Sequence, residues 1–208
     1  MKIFTWILVG VVAIGGVVGL FLAESRAKER VADAVLIIAN DDYVTGPADA
    51  PTTLFAYVDF ESQRSRTYFS YLEKLEKEFP NDLKIVYRYI LHSEHKNNLS
   101  AALAVEAAAR QGKFYEMARI LFTEQKKWSE ESSPSTEIFE EYALKLGLDV
   151  AKFRDDVNSQ SVKNRVERDM DSGKKLGIKD TPGLFLNGKN IHFPANYEKF
   201  KDLIKSGH

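Results

Sequence analysis

The stretch that decides the fold runs from Thr52 to Ser65, TTLFAYVDFESQRS. Its first part, Thr52 to Phe60, is apolar, aromatic and β-branched apart from Asp59, the pattern of a buried strand. Beyond Ser65 the period changes. Tyr68, Leu72, Leu75 and Phe79 recur at helical spacing, and Pro80-Asn81 stops that helix. LKIVYRYI, residues 83–90, predicts a second buried strand. Strand, helix and strand in this order imply a parallel pair joined by a right-handed crossover.

Toward the C-terminus, residues 97–177 are almost all helical in pattern. Ala101 to Ala109 is alanine-rich, and Phe114, Met117, Ala118 and Leu121 form one apolar stripe. Ile138, Phe139, Tyr142 and Leu146 form another, while Val162, Val166, Met170 and Gly173 mark a longer helix closing near Gly177. These stripes read as core faces. LFLNGKNIHF then places Asn187-Gly188 between two short apolar runs, a hairpin signal because both turn positions accept positive φ. Tyr197, Phe200, Leu203 and Ile204 predict a closing helix. The order βαβ, helical block, ββα describes an α/β protein with the thioredoxin-like fold and a helical insertion at about 92–160.

Toward the N-terminus, Gly46-Pro47 and Ala50-Pro51 punctuate a loop. Val35 to Ala39 fits either a short strand or a helix end. ESRAKERVAD, residues 24–33, reads as a solvated stalk. From Ile3 to Ala23 there is no charge, and a helix of that length reaches roughly the 30 Å of a bilayer core. A cleavable signal peptide competes, but its apolar region is shorter and is followed by small residues. Phe21-Leu22-Ala23 supplies one small residue, which favours an uncleaved anchor. The expected division is therefore 1–23 as transmembrane helix, 24–41 as linker and 42–208 as the folded domain. Arg26, Lys28 and Arg30 outnumber Lys2 and the terminal amine, a count that by itself argues against export of the domain.

Composition narrows the chemistry. The formal net charge is −1, and Lys and Arg are scattered rather than clustered, so no electrostatic footprint for nucleic acid exists. The chain contains no cysteine, which rules out disulfides and thiolate metal sites. His92-x-x-His95 stands alone as a candidate metal pair, too few ligands for a site. His192 is expected in a strand. No metal and no cofactor is expected.

Several short motifs, in order, resemble the DsbA-like thiol–disulfide oxidoreductases. Tyr57 to Ser65 is similar to that family's strand and active-site turn, where the last four positions are normally Cys-x-x-Cys. His95-Lys96-Asn97 with the alanine-rich segment, Gly112 to Met117, Leu146 to Asp149, and Gly177 to Pro182 followed by Asn187-Gly188 continue the resemblance. Ser62 and Ser65 occupy the cysteine positions, Gln63 the usual proline and Ala56 the place of a buried glutamate. The resemblance implies that the domain lies on the extracytoplasmic side, against the charge count, which makes the chain with its 3–23 span an expected single-pass protein of the cell membrane. It also implies a cis Thr181-Pro182 bond facing the turn, with Thr181, Pro182, Gln63 and Arg64 as substrate-binding positions.

Ser62 and Ser65 admit three roles. Serine at a helix start caps backbone N–H groups for about 1 kcal/mol. Arg64 and Arg66 beside a helix N-terminus could hold an anion. A serine nucleophile paired with His92 or His95 is conceivable, since both histidines follow the second strand, but no elbow glycine pattern or third group accompanies it. Two functions stay open: a redox-inactive relative that binds unfolded or extended polypeptide or a partner protein, and a cysteine-to-serine form of an active oxidoreductase.

Overall fold

In the computed structural model of the chain, residues 2–130 and 136–207 are described, with the backbone alone given for residues 2–17 and 19. Chain order is α1 (Lys2–Val35), β1 (Tyr43–Thr45), β2 (Thr52–Val58), α2 (Gln63–Glu78) and β3 (Leu83–Tyr89). Six helices follow: α3 (Asn98–Ala109), α4 (Phe114–Thr123), α5 (Gln125–Ser129), α6 (Thr136–Lys145), α7 (Val150–Asn158) and α8 (Gln160–Lys175). The hairpin β4 (Gly183–Leu186) and β5 (Lys189–Asn190), then α9 (Tyr197–Ser206), close the fold.

The five strands lie in the order β1-β3-β2-β4-β5. β2 and β3 are parallel, from Thr52 opposite Leu83 to Val58 opposite Tyr89. β4 runs antiparallel to β2, ending with Tyr57 opposite Gly183. The continuous apolar runs of β2 and β3 are explained by this central position, because both faces are covered. Leu54, Ala56, Val58, Leu83, Ile85, Tyr87 and Tyr89 belong to a large core shared with α2 and the helical block. Phe55, Tyr57, Val86, Ile90 and Phe185 form a smaller cluster on the other face.

Three local expectations change. The strand β1, antiparallel to β3, has no signature in a three-residue segment and is added by tertiary pairing. His192 lies beyond β5, which ends at Asn190. Val35 is the last residue of α1, and residues 36–39 are irregular. The Asn187-Gly188 turn has both φ values positive, 47° and 83°, as the hairpin requires.

The stretch 24–35 is a helical continuation of α1, with Ala32 buried against the domain. Among the described residues, no helix is long and apolar enough to cross a membrane. Most of the proposed span 3–23 falls on positions whose side chains lie outside the described residues; Val18, Leu20, Phe21 and Leu22 are exposed.

Candidate functional site

The chain leaves β2 at Val58 and enters α2 at Gln63, so residues 59–62 must turn within a buried space. Asp59 organises that turn. Its carboxylate is fully buried yet carries four donors: Oδ1 accepts from Glu61 N at 2.9 Å, and Oδ2 from His92 N at 2.9 Å and Asn98 Nδ2 at 3.2 Å. The fourth contact joins Oδ2 to His95 Nδ1 at 2.8 Å. A buried carboxylate is tolerable only when its oxygens are hydrogen-bonded this fully. Glu61 Oε2 adds a bond from Asn97 N at 2.7 Å, and Gln125 Nε2 donates to Phe60 O at 2.8 Å. Loop 92–98 and the helical block thus hold the turn from above.

Ser62 is the N-cap of α2: its backbone is extended and its Oγ accepts from Ser65 N at 3.2 Å. Ser65 Oγ, fully buried, accepts from Asp59 N at 3.3 Å. Both hydroxyls are therefore engaged with backbone, and neither bonds to His92 or His95, whose rings lie 5.6 Å apart at the loop. His95 is turned onto Asp59 instead. The capping role holds, and the Ser–His pairing does not form. Among the described residues no cluster suited to a metal ion is present.

Gln63, Arg64 and Arg66 are exposed on the first turn of α2. Arg64 does not stand free as an anion site: it reaches Asp180 at 3.8 Å and lies over the Phe193 ring at 4.4 Å. Thr181 and Pro182 are buried at the start of β4, and their peptide bond is cis. Since Tyr57 pairs with Gly183, the 59–65 turn and the 180–182 segment emerge at the same sheet edge, and Arg64–Asp180 ties them together. Among the described residues the Thr181 backbone forms no hydrogen bond within the chain. Tyr68, on α2, donates to Pro194 O at 2.6 Å, and burial pushes its phenol up. The predicted positions 62–65 and 181–182 are thus one constellation. Ala56 is fully buried between Tyr87 and Leu184.

Sequence reasoning missed Asp59, although a lone carboxylate ending an apolar strand beside the turn was its signal. It also missed a second buried network. Arg88 donates to Asp42 at 3.2 and 2.7 Å, to Tyr57 Oη at 3.0 Å, and to the carbonyls of Val35 and Ile37 at 3.1 and 2.6 Å. Arg165 pairs with Asp42 at 3.1 Å and with Asp169, whose Oδ2 also accepts from Tyr89 N at 3.1 Å. Arg165 and Asp169 stand at i,i+4 on α8, but Asp42 and Arg88 are far from them and from each other in sequence, and no spacing links those two to the pair.

Comparison with known proteins follows the same outline. The family described as Thioredoxin (Thioredoxin_4) matches residues 39–206. The fold is similar to that of BdbD from Bacillus subtilis, with TM-score 0.70 and 24% identity, covering 80% of this chain and 92% of that one. It is also similar to alpha-DsbA1 from Wolbachia pipientis, with TM-score 0.74 and 16% identity over 84% of this chain and 94% of that one. A sequence relative, the Na(+)/H(+) antiporter NhaA of Herminiimonas arsenicoxydans, is 35% identical over 175 residues, 82% of this chain. The chain spans about a quarter of the length of the curated relatives it matches, 27% in that case.

Proposed function

The chain belongs to the Thioredoxin_4 family of thioredoxin-fold proteins, and from that premise we propose a membrane-anchored, extracytoplasmic binding protein for extended polypeptide or a partner protein, inactive in disulfide exchange. The observation that carries the reading is the chemistry of the α2 N-terminus. Serine stands at both positions of the resembled cysteine pair, and the chain has no other thiol. A helix N-terminus lowers a thiol's pKa and releases a thiolate for attack. A hydroxyl stays protonated near neutral pH, and oxygen takes no part in thiol–disulfide exchange. Here the Ser62 hydroxyl is already committed to its cap.

Binding is supported by the edge beside that turn. The unpaired Thr181 backbone offers strand-type hydrogen bonds to an extended chain. Gln63 and Arg64 lie exposed beside that edge, with Arg64 reaching Asp180, while Arg66 lies toward α4 with Glu73 and Arg119. Affinity is weak, since a short strand-like contact must offset the ordering of a flexible peptide. Anchoring is supported by the uncharged run from Ile3 to Ala23, which lies within α1. The relatives named as sodium–proton antiporters contain a segment resembling this chain, which supports an integral membrane protein as one partner class.

The test is an NMR titration of the chain with an unfolded, cysteine-free polypeptide. Shifts are expected at 62–66 and 180–183, weakened by Thr181→Pro, which removes the backbone donor, and by Arg64→Glu. Shifts confined to 98–158, or binding unaltered in both folded variants, would sink the assignment.

A second reading, a dithiol oxidoreductase whose cysteines have been replaced, is favoured by the undisturbed turn. Ser65 is fully enclosed and both side chains sit in a complete hydrogen-bond frame. Ser62→Cys with Ser65→Cys separates the readings. Efficient oxidation of a reduced peptide would support the second, and traces of turnover the first.

A further inference from the structure

An open groove of about 770 Å³ separates the Glu24–Ala32 part of α1 from the end of α8 and the β4–β5 hairpin. Its two walls differ in charge. α1 supplies Glu24, Lys28 and Glu29, with Lys28 and Glu24 paired at 2.8 Å. The domain wall supplies Lys175, Lys179, Lys189 and His192, all exposed, and no carboxylate. Among the described residues none of those three lysines forms an ion pair.

Position gives this wall its meaning. Glu24 is the first charged residue after the run from Ile3, and it lines the groove together with the lysines. The groove lined by the basic wall therefore starts where the apolar helix ends and runs along α1 to Ala32. Its orientation is held as well. α1 is continuous from Lys2 to Val35, and Arg88 grips the carbonyls of Val35 and Ile37 at 3.1 and 2.6 Å.

We propose that the Lys175–Lys179–Lys189 wall docks on the anionic headgroups of the bilayer that holds α1, an inference that rests on the membrane-anchor reading. Three lysines from a helix end, a loop and a hairpin, spread along one open face, suit a planar array of charges better than a single small anion. Near an anionic surface each lysine contributes on the order of five-fold in local partition. That attraction fades within a Debye length, about 10 Å at 0.1 M salt and about 3 Å at 1 M.

The experiment uses the full chain in lipid nanodiscs of phosphatidylcholine alone or mixed with phosphatidylglycerol, read by amide hydrogen exchange. Flotation with phosphatidylcholine vesicles reads the anchor separately. Exchange in the 175–192 segment is expected to slow about ten-fold or more in the anionic discs. High salt should abolish the effect, as should combined Lys175→Gln, Lys179→Gln and Lys189→Gln, with flotation retained. Equal exchange in the two lipids overturns the docking while leaving the anchor intact. Failure to float removes the anchor and the docking with it. Equal protection by soluble glycerophosphate would assign the wall to a soluble anion and overturn the proposal.

Discussion

Two buried carboxylate networks meet the end of β3, and they are made of different materials. Asp59 is satisfied by backbone N–H groups, an amide and an imidazole, all from residues 61–98. Asp42 and Asp169 are satisfied mainly by two guanidinium groups, Arg88 and Arg165, which join the end of α1, the approach to β1, β3 and α8. Donors from the turn itself and from loop 92–98 reach Asp59 directly, each fixing one direction of a short turn. Guanidinium forks reach further and make several directional bonds at once, so they fasten segments distant in sequence. The contrast teaches that the 59–65 turn is held by donors from neighbouring segments together with the Ser62 and Ser65 hydroxyls, with no guanidinium in that frame. The placement of α1, in turn, depends on charge pairing far from that turn.

The most severe way to break the comparison is to remove one charge from the second network. Arg88→Ala leaves Asp42 buried with less compensation and the Val35 and Ile37 carbonyls without their donor. It should cost about 3–5 kcal/mol in urea denaturation. Arg88→Met combined with Asp42→Leu should cost markedly less, because no lone buried charge remains. A double variant as damaging as the single one would show that the clamp acts through packing instead.

The next test is titration. Burial pushes the Asp169 carboxyl up to about 6, against the pull of Arg165 and the Tyr89 N–H. The folded chain therefore takes this proton at higher pH than the unfolded chain, whose carboxyl titrates near about 3.9. The stabilisation from protonation is fully present below that value and is lost as pH rises through about 6, at most about 2–3 kcal/mol. Urea midpoints across this window should differ in slope between the parent and Asp169→Asn, and equal slopes would remove Asp169 as the source.

A smaller loss is expected from the first network. Asp59→Asn sets an amide NH2 against donors now shared by Oδ1 and Oδ2, and should cost about 2 kcal/mol. It should also broaden the NMR signals of residues 61–66, whereas Arg88→Ala should perturb residues 35–42. Interchange of those two patterns would erase the distinction between turn and clamp. The mildest effect belongs to Ser62→Ala, about 1 kcal/mol for loss of the cap, read by urea denaturation.

Most of the fold was legible because periodicity reports burial directly. The unbroken runs of β2 and β3 need two covered faces, and the stripes of α2 and the helical block mark the sides that meet the core. The hairpin was legible through Asn187-Gly188, whose backbone preference acts locally. β1 was not, since three residues, Tyr43–Thr45, become a strand only by pairing with Ile85, Val86 and Tyr87. At the site, the capping role of Ser62 followed from its place before α2. The engagement of His95 by Asp59 did not, because thirty-six positions separate them and the bond exists only after loop 92–98 folds over the turn.

The sequence by itself determined the order of elements from β2 onward, the serine chemistry at 62 and 65, and the local turn and cap geometry. Each of these is set by a residue's own side chain or by near neighbours. Tertiary structure alone decided which polar groups come together: Asp59 with His92, His95 and Asn98 and Asp42 with Arg88 and Arg165 in buried networks, and the lysine wall with Glu24 along an open groove. Buried charge must find partners wherever the packed chain brings them, and that pairing leaves no periodic trace along the sequence.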